Sequence, residues 1–168
     1  MRKVAKHSNN IQIRVTTTDS WFNVNLNALY AKFSTHNQDP NILSEDGDVI
    51  EYMHGFLMDA NTPWTNVDYV LFPVHMSVPE HWFLLVFDVH RRRLVVYNSL
   101  QPTRSFMRTN ISDACEAYIF LLPILLTRCG FWKSRTDINF LGEHYSQKGE
   151  NDLIELEFAE GVPEQVEG

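Results

Sequence analysis

His81 and Asn98 stand seventeen residues apart, at the two ends of the stretch EHWFLLVFDVHRRRLVVYNSL. A neutral imidazole is a general base near physiological pH, and it needs a partner on its other ring nitrogen to fix tautomer and orientation. Asn supplies that partner as Asp does, but without the charge that would stabilise an imidazolium. A histidine before a tryptophan at the start of a strand also fits an ordinary surface position, so spacing alone leaves both readings standing. His7, His36, His54, His75, His90 and His144 have no comparable partner and are read as structural.

The elements that would have to hold this pair are two short apolar runs. Trp82 to Val89 and Leu94 to Tyr97 are bounded by turn residues and read as strands. They lack clean alternation, which predicts burial on both faces. With the turn centred on His90 to Arg92, antiparallel pairing sets residues whose numbers sum to about 181 to 183 opposite each other. His81 and Asn98 then share one open end, about 7 to 10 Å apart along the strands and within reach of their side chains. Arg91 to Arg93 reads as a solvated basic turn.

Around the hairpin, Asp68 to Val74 reads as a further strand and Asp152 to Phe158 as a half-buried one. Asp48 to Asp59 carries Val49, Tyr52, Met53 and Phe56 at helical spacing, with acidic residues in front where the helix dipole favours them. Apolar residues from Trp21 to Phe33 fit a helix only loosely. Asn110 to Leu126 reads as a helix capped by Asn110 or Ser112, with Cys115 on its apolar stripe, and Pro123 is expected to end or kink it near residue 122. Helices, then antiparallel strands, then a helix and a final strand predict an α+β domain rather than a doubly wound one.

At 168 residues the chain is one domain's worth, enough to bury roughly 70% of the surface its unfolded state exposes. A polar segment at 1–20 precedes the domain at 21–168. The net charge of -7 and the small basic clusters give no case for nucleic acid. Cys115 and Cys129, fourteen apart, fit neither a zinc site nor a disulfide framework, so no metal or other cofactor is expected. No apolar run reaches the roughly 18 residues that a membrane span needs. The expectation is a soluble, intracellular monomer without a membrane partner.

The order His-Trp, apolar run, Asp, basic turn, apolar run, Tyr-Asn-Ser-Leu resembles the catalytic hairpin of the ubiquitin-like-protein proteases, the SUMO or sentrin-specific cysteine peptidases. PWTNVDYVLFPVHMSVPEHW (63–82) is similar to the segment that leads into it, especially in the divergent plant, often transposon-derived, branch. VPEQVEG (162–168) is similar to the family's Val-Pro-Gln-Gln-x-x-Gly. The resemblance covers residues from about 45 onward. It implies a papain-like fold of the ubiquitin-like-protease type, helices around a small, mainly antiparallel sheet, and a partner of the ubiquitin-like, SUMO-type class. It implies His81 as general base, Asn98 as its orienting partner where the family usually has Asp, and Gln165 as an oxyanion-hole donor. It also implies Trp82 as a wall of the channel that admits the substrate's C-terminal Gly-Gly. A nuclear location follows from the resemblance alone.

The chain departs from the family at the nucleophile. The family's cysteine lies six residues after this glutamine, at what would be position 171, past Gly168. Cys129 is followed by glycine as that cysteine is, but it precedes Gln165. The expectation is therefore a catalytic domain that is incomplete at its C-terminus, inactive by itself and marginally stable. Its alternatives are a relic that at most binds a ubiquitin-like protein, and a viral or bacterial effector protease of the same fold.

Overall fold

A computed structural model describes residues 13–44, 47–59, 61–100 and 104–163. Its centre is a five-stranded sheet in the order β1 (Val15–Thr17), β2 (Tyr69–Ser77), β3 (Glu80–Asp88), β4 (Arg93–Tyr97), β5 (Glu155–Phe158). β2, β3 and β4 pair antiparallel, whereas β1 joins β2 and β5 joins β4 in parallel. The sheet is thus mixed, with its antiparallel part in the middle. β1 lies in the segment read as a polar lead-in. Its three residues carry no periodic signal, yet Thr16 is 4% exposed and its hydroxyl donates to the Asn61 amide oxygen at 2.8 Å.

Strand alternation sorts the side chains onto two faces. Val70, Phe72, Val74 and Met76 of β2, Phe83, Leu85 and Phe87 of β3, and Leu94 and Val96 of β4 all belong to one core cluster. Two helices close over that face. α1 (Ser20–Thr35) is capped by the Asp19 carboxylate, which accepts from the Phe22 backbone N–H, and buries Phe22, Leu26 and Phe33. Asp19 also accepts from the Tyr52 hydroxyl at 2.6 Å, which ties the start of α1 to α2 (Asp48–His54). α2 is shorter than the apolar spacing through Phe56 predicts. Gly55 ends it in the left-handed region at φ 81°, and a Cβ there would meet the Pro63 nitrogen at 2.8 Å.

The second covering helix, α3 (Arg104–Arg128), differs from expectation at both ends. It begins before Asn110 and Ser112, so neither caps it, and it runs on through Pro123. Proline has no N–H to donate to the carbonyl four residues back. Here the Ile119 carbonyl accepts instead from the Ile154 N–H, and the Thr127 hydroxyl donates to the Pro123 carbonyl at 3.0 Å. A neighbouring loop satisfies the acceptor that the ring leaves open, and the helix continues. By length and composition α3 is apolar enough to cross a membrane, but 56% of its most apolar window is buried inside the domain, as in a core helix.

The basic β3–β4 turn is not simply solvated. Arg92 has φ 50° and is 2% exposed. Its guanidinium donates to the carbonyls of Gly149, Glu150 and Asp152 and lies 5.2 Å from the Trp132 ring centroid and 5.7 Å from that of Tyr145. Three carbonyls and two aromatic faces replace part of its water, while Nε is buried without a hydrogen-bond partner. The Tyr145 hydroxyl in turn donates to the Val89 carbonyl, so the loop before β5 is fastened to the hairpin at its closed end. Trp132 sits beside α4 residue Phe131 (α4, Phe131–Ser134) in an edge-to-face pair.

Candidate active site

The open end of the hairpin is fixed by register. Met76 lies opposite His81 across β2–β3, and Leu84 lies opposite Tyr97 across β3–β4. The second pair sums to 181, within the predicted range. Asn98 follows the last paired residue of β4; the register continued by one step would set it opposite Phe83, on the same sheet face as His81 and two residues away along β3. From those diagonal positions the side chains meet: His81 Nε2 is 2.6 Å from Asn98 Oδ1.

The polarity of that contact follows from the backbone just beyond it. The Asn98 Nδ2 donates to the Leu100 carbonyl at 2.7 Å, and the Leu100 N–H donates to Asn98 Oδ1 at 3.2 Å. An amide turned the other way would set N–H against N–H and oxygen against oxygen. Oδ1 therefore faces the imidazole, and because it can only accept, the proton sits on His81 Nε2. The neutral ring then carries its lone pair on Nδ1. A base oriented in this way is able to take a proton from a group placed against Nδ1.

Beside Asn98 a cleft of about 320 Å³ opens between the β4 and β5 ends and the start of α3. Leu100, Met107, Ile111, Phe158 and Val162 give it apolar walls, and Arg108 covers one side with its guanidinium 4.7 Å from the Phe158 ring centroid. Three separated segments build this cleft, so no single stretch of sequence signals it. Leu100 was likewise invisible to a reading of side chains, since it acts through its backbone.

The other predicted site residues are placed differently. Trp82 neighbours His81 but projects from the opposite face of β3, where it is 54% exposed and lies over its cross-strand partner His75 with ring centroids 4.7 Å apart. Gln165 lies outside the described residues. Cys115 is fully buried on α3, and burial pushes its thiol up to about 12. Cys129 closes the last turn of that helix, its thiol donating to the Leu126 carbonyl at 3.3 Å, and burial raises it also. Both shifts run opposite to what a nucleophilic thiolate needs.

Among the described residues, Asp68, His90 and Asp137 come close enough together to share a metal ion. Their carboxylates are already neutralised. Arg14 reaches Asp68 at 2.6 Å and Asp137 at 3.3 Å, Arg135 reaches Asp137 at 2.7 Å, and His90 Nε2 is 2.9 Å from Asp68. The bonds from Arg14 hold Asp68 well below the usual carboxylate range, and those from Arg135 do the same for Asp137. Arg135, 1% exposed, also donates to the Val67 carbonyl. The cluster is an ion-pair clasp between the chain before β1, the start of β2 and the loop after α4.

A family model described as the C-terminal catalytic domain of the Ulp1 protease family matches residues 1–165. The match includes the N-terminal part, where the resemblance in sequence is weak. No curated protein and no solved structure matches the chain.

Proposed function

This chain belongs to the Ulp1 protease family, cysteine peptidases that act on ubiquitin-like modifiers, and from that premise we propose that His81 is its general base, Asn98 the group that orients it, and a SUMO-type C-terminal diglycine its point of cleavage. The α+β architecture is that of the family. The observation that carries the reading is the 2.6 Å contact between His81 Nε2 and Asn98 Oδ1, which leaves Nδ1 for a thiol.

In the reaction so proposed, Nδ1 takes the thiol proton as the sulfur–carbon bond forms at the glycine carbonyl. The carbonyl π pair moves onto oxygen, where the Gln165 amide is the intended donor. Collapse of the tetrahedral intermediate expels the amine, which leaves with the proton held on Nδ1. A water then attacks the thioester carbonyl and gives its proton to Nδ1; the sulfur–carbon bond breaks, and the leaving sulfur takes that proton back from Nδ1, releasing the thiol and the free carboxyl terminus. Trp82, exposed next to His81, is assigned to the channel that admits the diglycine. Nuclear residence is proposed on the family's ground alone.

The nucleophile in this scheme is neither Cys115, which is fully buried on α3, nor Cys129, whose thiol is turned to the Leu126 carbonyl; burial raises both. Residues 1–168 alone are accordingly proposed to turn over nothing. Reading the transcript beyond the Gly168 codon tests this: a cysteine within a few codons is expected. The protein that includes it should form a covalent adduct with a SUMO bearing a C-terminal electrophile. The placement of the two thiols, Cys115 buried and Cys129 partly buried, also favours a second reading, a relic that binds a ubiquitin-like protein without cleaving it. Binding by the chain with no adduct in the extended protein would select that reading.

A further inference from the structure

We propose that the backbone of Leu100 makes an amide, and not a carboxylate, the group that this site accepts as the partner of His81. The inference rests on His81 being the base, as proposed above, and concerns what holds it. Leu100 presents two groups of opposite polarity to residue 98: its N–H donates to Oδ1 at 3.2 Å and its carbonyl accepts from Nδ2 at 2.7 Å. A side-chain amide matches both, because it has one acceptor end and one donor end. A carboxylate has acceptors at both ends, and its second oxygen would sit about where Nδ2 now donates, against a carbonyl oxygen with no proton between them.

The bonds are partly buried, which raises the cost of setting two acceptors against each other. An aspartate at 98 would have to rotate away from the Leu100 carbonyl. Rotation moves the oxygen that accepts from His81 Nε2, and the ring loses the contact that fixes its tautomer. The orienting unit is therefore Asn98 together with the Leu100 peptide groups, with Leu100 a positioning residue that acts through Asn98. Without an anion behind the ring, an imidazolium receives no extra stabilisation.

The nitrogen-15 shifts of the His81 ring, recorded at neutral pH in the full chain, test the proposal without requiring activity. The wild type should show a single tautomer, protonated on Nε2 and bare on Nδ1. Asn98→Asp and Asn98→Ala should both show averaged shifts of a tautomer mixture. A wild-type ring protonated on Nδ1, or already mixed, overturns the proposal even if the variants do not fold. So does an Asn98→Asp ring that keeps Nε2 fully protonated while the Leu100 amide proton stays protected from exchange. In the extended, cysteine-containing protein, Asn98→Asp should lower the rate of SUMO-electrophile labelling at least tenfold, and an equal or faster rate overturns the proposal. Absence of labelling in the wild type would defeat the enzyme reading instead, leaving the ring measurement to decide this one.

Discussion

His81 and Asn98 lie on the same face of the sheet, two residues out of direct register, and meet through Nε2 and Oδ1 at 2.6 Å. The base is thus held from the side away from Nδ1. Replacing His81 by Ala removes it without touching the core cluster, to which His81 does not belong. Adduct formation by the extended protein should fall by roughly 10²- to 10⁴-fold, the usual range for a positioned acid–base group. The thermal midpoint should stay close to the wild-type value, measured by circular dichroism on the same samples.

Cys115 contributes packing, not chemistry. Cys115→Ser places a hydroxyl among the α3 core residues with no partner provided for it, and should cost about 1–3 kcal/mol in a urea titration. The double variant Cys115→Ala/Cys129→Ala, in the extended protein, should form the SUMO adduct at the wild-type rate. A loss of labelling in that variant would reinstate one of the two thiols as the nucleophile.

Arg92 fastens the loop before β5 to the hairpin turn. Arg92→Ala would leave the carbonyls of Gly149, Glu150 and Asp152 without this donor. A cost of about 1–3 kcal/mol is expected from groups left unpaired in this way. Arg92→Lys should recover only part of it, because an ammonium lacks the guanidinium's stacking on the Trp132 and Tyr145 rings. Amide exchange should accelerate first in β5 and in residues 149–154.

The clasp of Asp68 and Asp137 with Arg14 and Arg135 makes stability depend on acid. Both carboxyls are held below their unfolded values, so the stabilisation is fully present above about pH 4, the unfolded carboxylate range, and is lost as pH falls toward the folded values. Denaturant midpoints between pH 5 and pH 2 should decline, and Asp68→Asn should flatten part of that decline while lowering the neutral-pH value.

The hairpin was legible because its signal is local: two apolar runs around a turn fix the register that brings residues 81 and 98 together. What escaped reading depends on distant partners. β1 is three residues long and gains its place only by pairing with β2. The passage of α3 through Pro123 rests on Ile154, thirty-one residues away, and the burial of Arg92 on carbonyls some sixty residues on. Trp82 was assigned through the resemblance, which carries no information on facing; strand alternation places its side chain on the face opposite that of His81. Leu100 stands in the Tyr-Asn-Ser-Leu motif, but its backbone role left no trace, since any residue except proline offers the same two groups.

The most direct test of the account is to map, by peptide mass spectrometry, the residue that a SUMO C-terminal electrophile modifies in the protein carrying what its transcript encodes after Gly168. The account predicts a single modified cysteine beyond residue 168, with modification lost in His81→Ala and retained in Cys115→Ala/Cys129→Ala. Modification of Cys115 or Cys129, modification unaffected by His81→Ala, or a transcript that encodes no cysteine after Gly168 would contradict it.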